Sequence, residues 1–123
     1  MPQPPRIFVQ MVSFRDAECA ATLADLFAKA KKPARISVGL CWQSDPAIDE
    51  PLLLPQAHKK QVRVASYHVD EAQGAGWARA QAMTLYNGEE YILQIQAHHR
   101  FEPGWDETLI HTLENLPSKK ALL

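Results

Sequence analysis

The sequence predicts a single α/β domain in which a mainly parallel β-sheet lies between layers of helices. Two observations carry this prediction. Short apolar runs rich in strand-forming residues recur along the chain, and amphipathic stretches with helical spacing lie between them. Because each helix returns the chain to the edge at which the previous strand began, this alternation is typical of parallel strands joined by crossover helices.

The first strand–helix–strand unit occupies the N-terminal third of the chain. Residues 7–12 form an apolar run that follows prolines, which predicts a buried strand. In residues 18–32 the apolar side chains repeat at helical spacing and lysines gather at the end, where Pro33 stops the helix. The apolar run at residues 36–41 predicts a second buried strand.

A long irregular segment separates this unit from the remaining elements. Residues 43–60 contain three prolines and are predicted to form a flexible loop. Arg63 is expected to face water from an edge strand. Strands are predicted at residues 62–66 and 91–95, and helices at residues 74–86 and 106–116.

Composition excludes several classes of protein. With 123 residues, 46% hydrophobic and 22% charged, the chain is long enough for one domain with a buried core. A net charge of −1 gives no basic surface for nucleic acid, and no apolar run approaches the ~18 residues of a membrane span. The N-terminus has no signal-peptide pattern, and Cys19 and Cys41 are expected to be buried free thiols. We therefore expect a cytoplasmic protein that binds neither nucleic acid nor membrane.

The most informative stretch is residues 90–106, where an apolar strand leads into a polar, histidine-rich turn. Ligands of open α/β sheets bind just beyond the carboxyl ends of the strands. Gln96, His98, His99 and Arg100 are expected to fall at such an end. Because alternate residues of an extended segment share a face, Gln96 and His98 should point into one cleft, with His99 on the opposite side.

Three motifs in the chain resemble a family of glycosyltransferases that attach N-acetylglucosamine to hydroxyproline or hydroxyl side chains of cytoplasmic proteins. Residues 13–16 read SFRD, similar to the family's SYRD or SFRD. Residues 74–79 read GAGWAR, similar to its GPxxAR. Residues 96–101 read QAHHRF before Trp105-Asp106, similar to its DSHxRF with a following WD. Gln96 replaces the aspartate of that last motif, and Ala75 replaces the proline of the second.

This resemblance covers residues 7–122 and implies a fold and a ligand. The fold is the nucleotide-sugar-binding half of the glycosyltransferase-A fold, a Rossmann-like three-layer α/β/α arrangement with strand order 3-2-1-4. The ligand is a UDP-sugar similar to UDP-N-acetylglucosamine. The residues implied to bind it are Ser13, Arg15, Asp16, Gly74, Arg79 and Arg100.

Four of these residues also have a structural interpretation. Asp16 or Ser13 can cap the coming helix instead of holding uracil and ribose. Arg79 can be a helix-surface arginine instead of facing the sugar nucleotide. Arg100 can form an ion pair with Asp106 instead of binding a phosphate. Spacing alone does not decide between the two interpretations.

The resemblance also implies a metal site at the end of the fourth strand. Mn²⁺ or Mg²⁺ stabilises the departing diphosphate, and such cations prefer carboxylate oxygens. His98 is the best ligand candidate, and Gln96 is a weak one because it offers a neutral amide where the family has a carboxylate. In the competing interpretation the loop is structural and His98 bonds to the backbone.

Two functions remain open from the sequence. The first is transfer of N-acetylglucosamine from UDP-N-acetylglucosamine to a protein hydroxyl, with this chain supplying only the donor half and being inactive alone. The second is a catalytically inactive nucleotide-binding or interaction module of the same fold, which Gln96 favours. In either case the apolar tail Leu122-Leu123, or the sheet edge beside the fourth strand, should be covered by a second copy, giving a homo-oligomer.

Overall fold

Four parallel strands form one sheet in the order β3-β2-β1-β4, as shown by a computed structural model that describes residues 5–115. The strands are β1 (Ile7–Phe14), β2 (Ile36–Ser44), β3 (Val62–His68) and β4 (Tyr91–Gln96), and the helices are α1 (Cys19–Lys29), α2 (Ala75–Met83) and α3 (Trp105–Glu114). Short 3₁₀ turns occupy Pro33–Arg35, Gln56–Gln61 and Val69–Glu71. The predicted fold class and strand order are confirmed.

Helices cover both faces of the sheet, because successive strand residues point to opposite sides. In β1, Ile7, Val9 and Met11 are buried in a cluster that also contains the apolar faces of α1 and α3. The opposite face packs against α2 through Cys41, Ala78 and Ala82. The result is a three-layer α/β/α arrangement in which β1 is buried along most of its length, as expected of a central strand in a parallel sheet.

A glycine in β2 allows α2 to lie close to the sheet. A Cβ atom at Gly39 would lie 2.9 Å from the carbonyl oxygen of Ala82 and would collide with the ring of Phe8. Together with the small side chains of Ala78 and Ala82, this missing side chain brings the backbone of α2 against β1 and β2. The close packing therefore holds α2 directly against the two central strands.

The segment that follows β4 is anchored to α1 and to the α1–β2 connection. Asp106, at the start of α3, is fully buried and accepts hydrogen bonds from the backbone N–H groups of Lys31 and Lys32 at 2.7 and 2.9 Å. It also pairs with the buried guanidinium of Arg35 at 2.9 Å. Burial raises the pKa of the Asp106 carboxyl, but these N–H groups and Arg35 outweigh it and leave the pKa below its usual value.

The prediction that Arg63 faces water is wrong. The strand β3 lies at the sheet edge as expected, but the Arg63 guanidinium is partly buried. It donates a hydrogen bond to the carbonyl of Leu85 at 2.7 Å and pairs with the buried carboxylate of Glu89 at 3.1 Å. The turn after α2 covers this face of the strand, and a buried carboxylate there requires a cationic partner.

The irregular segment is shorter than residues 43–60, because β2 continues to Ser44 and the 3₁₀ turn begins at Gln56. The flexibility of this loop remains a prediction. The Leu122-Leu123 tail lies outside the described residues. Among the helices of residues 5–115, none is long and apolar enough to cross a bilayer.

Candidate functional site

A cleft of about 820 Å³ opens at the carboxyl ends of β1 and β4, beside the first turn of α2. From β1 the chain builds the sheet towards β2 and β3, and then crosses to place β4 on the other side of β1. The gap between β1 and β4 is therefore the topological switch point, where open α/β sheets bind their ligands. The polar and aromatic residues that line it are Phe14, Asp16, Arg79, Gln94, Gln96, His98 and His99.

Asp16 and His98, which both line the cleft, contact each other through their side chains. The Nδ1 atom of His98 lies 2.9 Å from Oδ2 of Asp16, although the two residues are 82 positions apart in sequence. The other carboxylate oxygen of Asp16 accepts the backbone N–H of Glu18 at 2.9 Å. Partial burial raises the pKa of Asp16, but the Glu18 N–H and the His98 ring outweigh it and lower the pKa overall. Asp16 is therefore an ionised acceptor at neutral pH.

The turn that carries His98 is held by side chains of α1. The hydroxyl of Thr22 donates to the carbonyl oxygen of Ala97, and the carboxylate of Asp25 accepts the backbone N–H of Phe101 at 2.6 Å. His99 is exposed and packs edge-to-face against the Phe101 ring, with centroids 4.6 Å apart. These contacts fix residues 97–101 relative to α1 and so give His98 a defined place in the cleft.

Arg79 supplies the positive charge on the opposite side of the cleft. It lies in the second turn of α2, where its own carbonyl accepts the side-chain amide of Gln10 at 2.7 Å. The residue is exposed and lines the cleft, and its guanidinium forms no ion pair within residues 5–115. Such an uncommitted guanidinium suits an anionic ligand.

Gly74 begins the helix that carries Arg79. Its φ of 97° lies in the region that favours glycine, and a Cβ atom there would meet no other atom within 4 Å. The glycine is therefore required by the turn and not by crowding. The next residue, Ala75, lines the cleft, so the first backbone N–H groups of α2 lie near it.

Of the other three predicted UDP-binding residues, the two arginines pair with carboxylates of the protein, whereas Ser13 does not. Ser13 is buried near the end of β1, and its hydroxyl has no hydrogen-bond partner within the described residues. Arg15, with φ of 50°, forms a two-pronged ion pair with Asp49 at 2.9 and 3.0 Å. Arg100 pairs with Glu18 at 2.8 Å.

The predicted alternative of an Arg100–Asp106 ion pair is wrong. Arg100 turns towards the N-terminal end of α1, where Glu18 and the hydroxyl of Thr22 accept its hydrogen bonds. Asp106 faces the far end of the same helix and is occupied by Arg35. The length of α1 therefore separates the two groups.

Two residues of the region escaped the sequence analysis. Phe14, the last residue of β1, keeps its ring 57% exposed at the rim of the cleft. An aromatic side chain at the end of a buried strand is the signal that could have indicated it. Asp49, the partner of Arg15, gives no local signal because it lies in an irregular loop 34 positions away.

The donor atoms of the cleft suit a cation only if the ligand also contributes to its coordination. Within residues 5–115 no cluster of three His, Cys, Asp or Glu side chains is placed to hold a metal ion. The residues that line the cleft include the imidazoles of His98 and His99, the neutral amides of Gln94 and Gln96, and a single carboxylate, Asp16. Mg²⁺-type sites often combine one or two protein ligands with phosphate oxygens and water. These residues therefore fit a cation held jointly with a diphosphate, and not a resident metal ion.

Comparison with known proteins gives one family. Two overlapping segments, residues 6–59 and 53–123, match the sequence profile of a family described as Glycosyltransferase (GlcNAc). No protein of curated function and no solved structure gives a significant match. The fold, the switch-point cleft and this match define a glycosyltransferase-like domain. The chain belongs to the GlcNAc glycosyltransferase family.

Proposed function

We propose that the cleft binds the UDP part of UDP-N-acetylglucosamine and that the chain supplies the donor side for transfer of the sugar to a protein hydroxyl. One observation carries this proposal. Residues from three separate motifs, Asp16, Arg79 and His98, line a single cleft at the switch point of the sheet. A family whose donor is a sugar nucleotide needs its binding residues at that position.

The cleft offers a distinct contact to each part of the donor. The exposed ring of Phe14 provides an apolar surface on which a uracil ring can stack. Arg79 and the first N–H groups of α2 suit the diphosphate, because both present positive charge or hydrogen-bond donors to an anion. Asp16 has both carboxylate oxygens engaged, so its contribution to uracil binding uses their remaining lone pairs.

Transfer breaks the bond between the sugar C1 and the diphosphate oxygen and forms a bond between C1 and the acceptor oxygen, whose proton is lost. Negative charge therefore grows on the UDP that leaves. Mn²⁺ or Mg²⁺ bound beside His98 and Gln96 would neutralise part of that charge. Within the chain, Arg79 is placed to do the same through its guanidinium.

Arg79→Ala is expected to weaken UDP binding by about 10-fold or more, because hydrogen bonds to charged groups contribute ~1.5–3 kcal/mol. Calorimetric titration of UDP into the full chain measures this loss. Arg6→Ala is the matched control, since Arg6 pairs with Glu90 at the opposite end of the sheet and should leave the affinity unchanged. If UDP binds neither wild type nor variant, or binds both equally, the cleft is not the donor site.

A second candidate function is a catalytically inactive nucleotide-binding or interaction module. The observation that favours it is Gln96, whose neutral amide occupies the strand end where the resemblance implies a carboxylate. If this alternative holds, UDP binds and Mn²⁺ does not raise its affinity. The expected homo-oligomer through the sheet edge beside β4 also remains a prediction.

A further inference from the structure

We propose that Asp16 is a positioning residue for His98: its carboxylate holds the imidazole N–H on Nδ1 and leaves the unprotonated Nε2 for a ligand in the cleft. The inference rests on the proposed function, which makes this cleft the donor site. It gives the aspartate of the SFRD motif a role that its sequence position does not reveal.

The hydrogen-bond geometry defines which ring nitrogen carries the proton. Oδ2 of Asp16 lies 2.9 Å from Nδ1 of His98, and an ionised carboxylate can only accept. The nitrogen that faces it must therefore donate, so the neutral ring carries its hydrogen on Nδ1. Within residues 5–115, Nε2 makes no hydrogen bond, and the side chain is 58% exposed along the cleft. Nε2 is thus the atom left with a free lone pair.

The carboxylate itself is fixed from the other side. Oδ1 of Asp16 accepts the backbone N–H of Glu18, just before α1 begins. This contact prevents the carboxylate from rotating away from the imidazole, so the orientation of His98 is set by the start of α1. Carboxylates that hold the second nitrogen of a ligating histidine commonly act in this way, fixing the tautomer and raising the basicity of the free nitrogen.

The same geometry makes Asp16→Asn a directed test. The Glu18 N–H still requires an acceptor, so the asparagine should keep its Oδ1 there and present its NH₂ group to Nδ1 of His98. An NH₂ group donates, so Nδ1 must now accept and the ring hydrogen moves to Nε2. The variant is nearly identical in shape and preserves the hydrogen bond to the Glu18 N–H, yet it inverts the tautomer.

The first readout is the tautomer in the protein without ligand. Side-chain ¹⁵N NMR at alkaline pH should show the Nδ1–H form for His98 in the wild type and the Nε2–H form in Asp16→Asn. A His98→Gln sample assigns the signal. Asp70→Asn removes the same charge beside another histidine, His68, outside the cleft, and should leave His98 unchanged. The Nε2–H form in the wild type overturns the proposal, whether or not any variant folds.

The second readout is cation-dependent UDP binding. Loss of a carboxylate that positions a ligating histidine typically lowers metal affinity by about 10–100-fold. For each protein, the Mn²⁺-dependent gain is the ratio of its UDP affinity with Mn²⁺ to its UDP affinity without it. This ratio should be smaller in Asp16→Asn than in the wild type. An unchanged gain overturns the proposed role of Asp16. Absence of UDP binding in the wild type instead contradicts the proposed function. The NMR result is obtained without ligand and therefore tests the role of Asp16 independently of UDP binding.

Discussion

Replacing Asp106 with alanine is expected to lower the free energy of unfolding by about 3–5 kcal/mol. The carboxylate is fully buried and neutralises Arg35, whose side chain is only 6% exposed. Its removal leaves a buried guanidinium without a partner and frees the N–H groups of Lys31 and Lys32. Both losses fall on the connection between α1 and β2, so the whole sheet should be affected.

Denaturant unfolding of the wild type and of Asp106→Ala measures this difference. Glu90→Ala removes an exposed partner of Arg6 and is the control, with an expected cost of about 0–1 kcal/mol. The pKa of Asp106 is lower in the folded protein than in the unfolded chain. Its contribution to the free energy of unfolding is therefore complete above the pKa of the unfolded chain and is lost as the pH falls through the pKa of the folded protein. The difference in the free energy of unfolding between wild type and Asp106→Ala should therefore decrease below about pH 4. Equal stability of the two proteins at pH 7 would contradict this account of Asp106.

Replacing Gln96 with aspartate is expected to raise the Mn²⁺-dependent affinity for UDP by about 100-fold. The change adds an anionic oxygen beside His98, where the amide offers only a dipole. A unit charge pair 4 Å apart gains ~4 kcal/mol at the effective dielectric of a protein surface. Dehydration of the new carboxylate offsets part of this gain, and ~2.7 kcal/mol of net gain corresponds to the expected factor.

Calorimetric titration of UDP in the presence and absence of Mn²⁺ tests this expectation. Gln94→Asp makes the same change two residues earlier on β4, in a side chain that also lines the cleft, and should give a much smaller gain. If Mn²⁺ raises the affinity for UDP equally in wild type and Gln96→Asp, the proposed metal site is contradicted. The inactive-module alternative would then account for the cleft.

The fold could be predicted from the sequence because it depends on local patterns. Apolar runs such as residues 36–41 and helical repeats such as residues 18–32 each indicate one element, and their alternation indicates a parallel sheet. Even so, α1 is shorter than predicted and ends at Lys29, because the backbone N–H groups of Lys31 and Lys32 bond to Asp106 instead of continuing the helix.

The partners within the site could not be predicted in the same way. The sequence placed Asp16, Arg79 and His98 at the ends of elements, and the topology brings all three to one cleft. Which polar groups bond to each other depends on side-chain directions that periodicity does not specify. Asp106 illustrates the difference, because it favours the start of a helix in general but here neutralises Arg35, 71 positions away.

The central claim, that UDP binds at the switch point between β1 and β4, is tested most directly by mapping backbone amide NMR shifts of the full chain during a UDP titration. The largest saturable shifts are expected at Phe14, Ala75 and His98, which line the cleft. Small or no shifts are expected around Arg6 and Glu90, at the opposite end of the same strands. Shifts that cluster outside the cleft, or none at millimolar UDP, would contradict the claim.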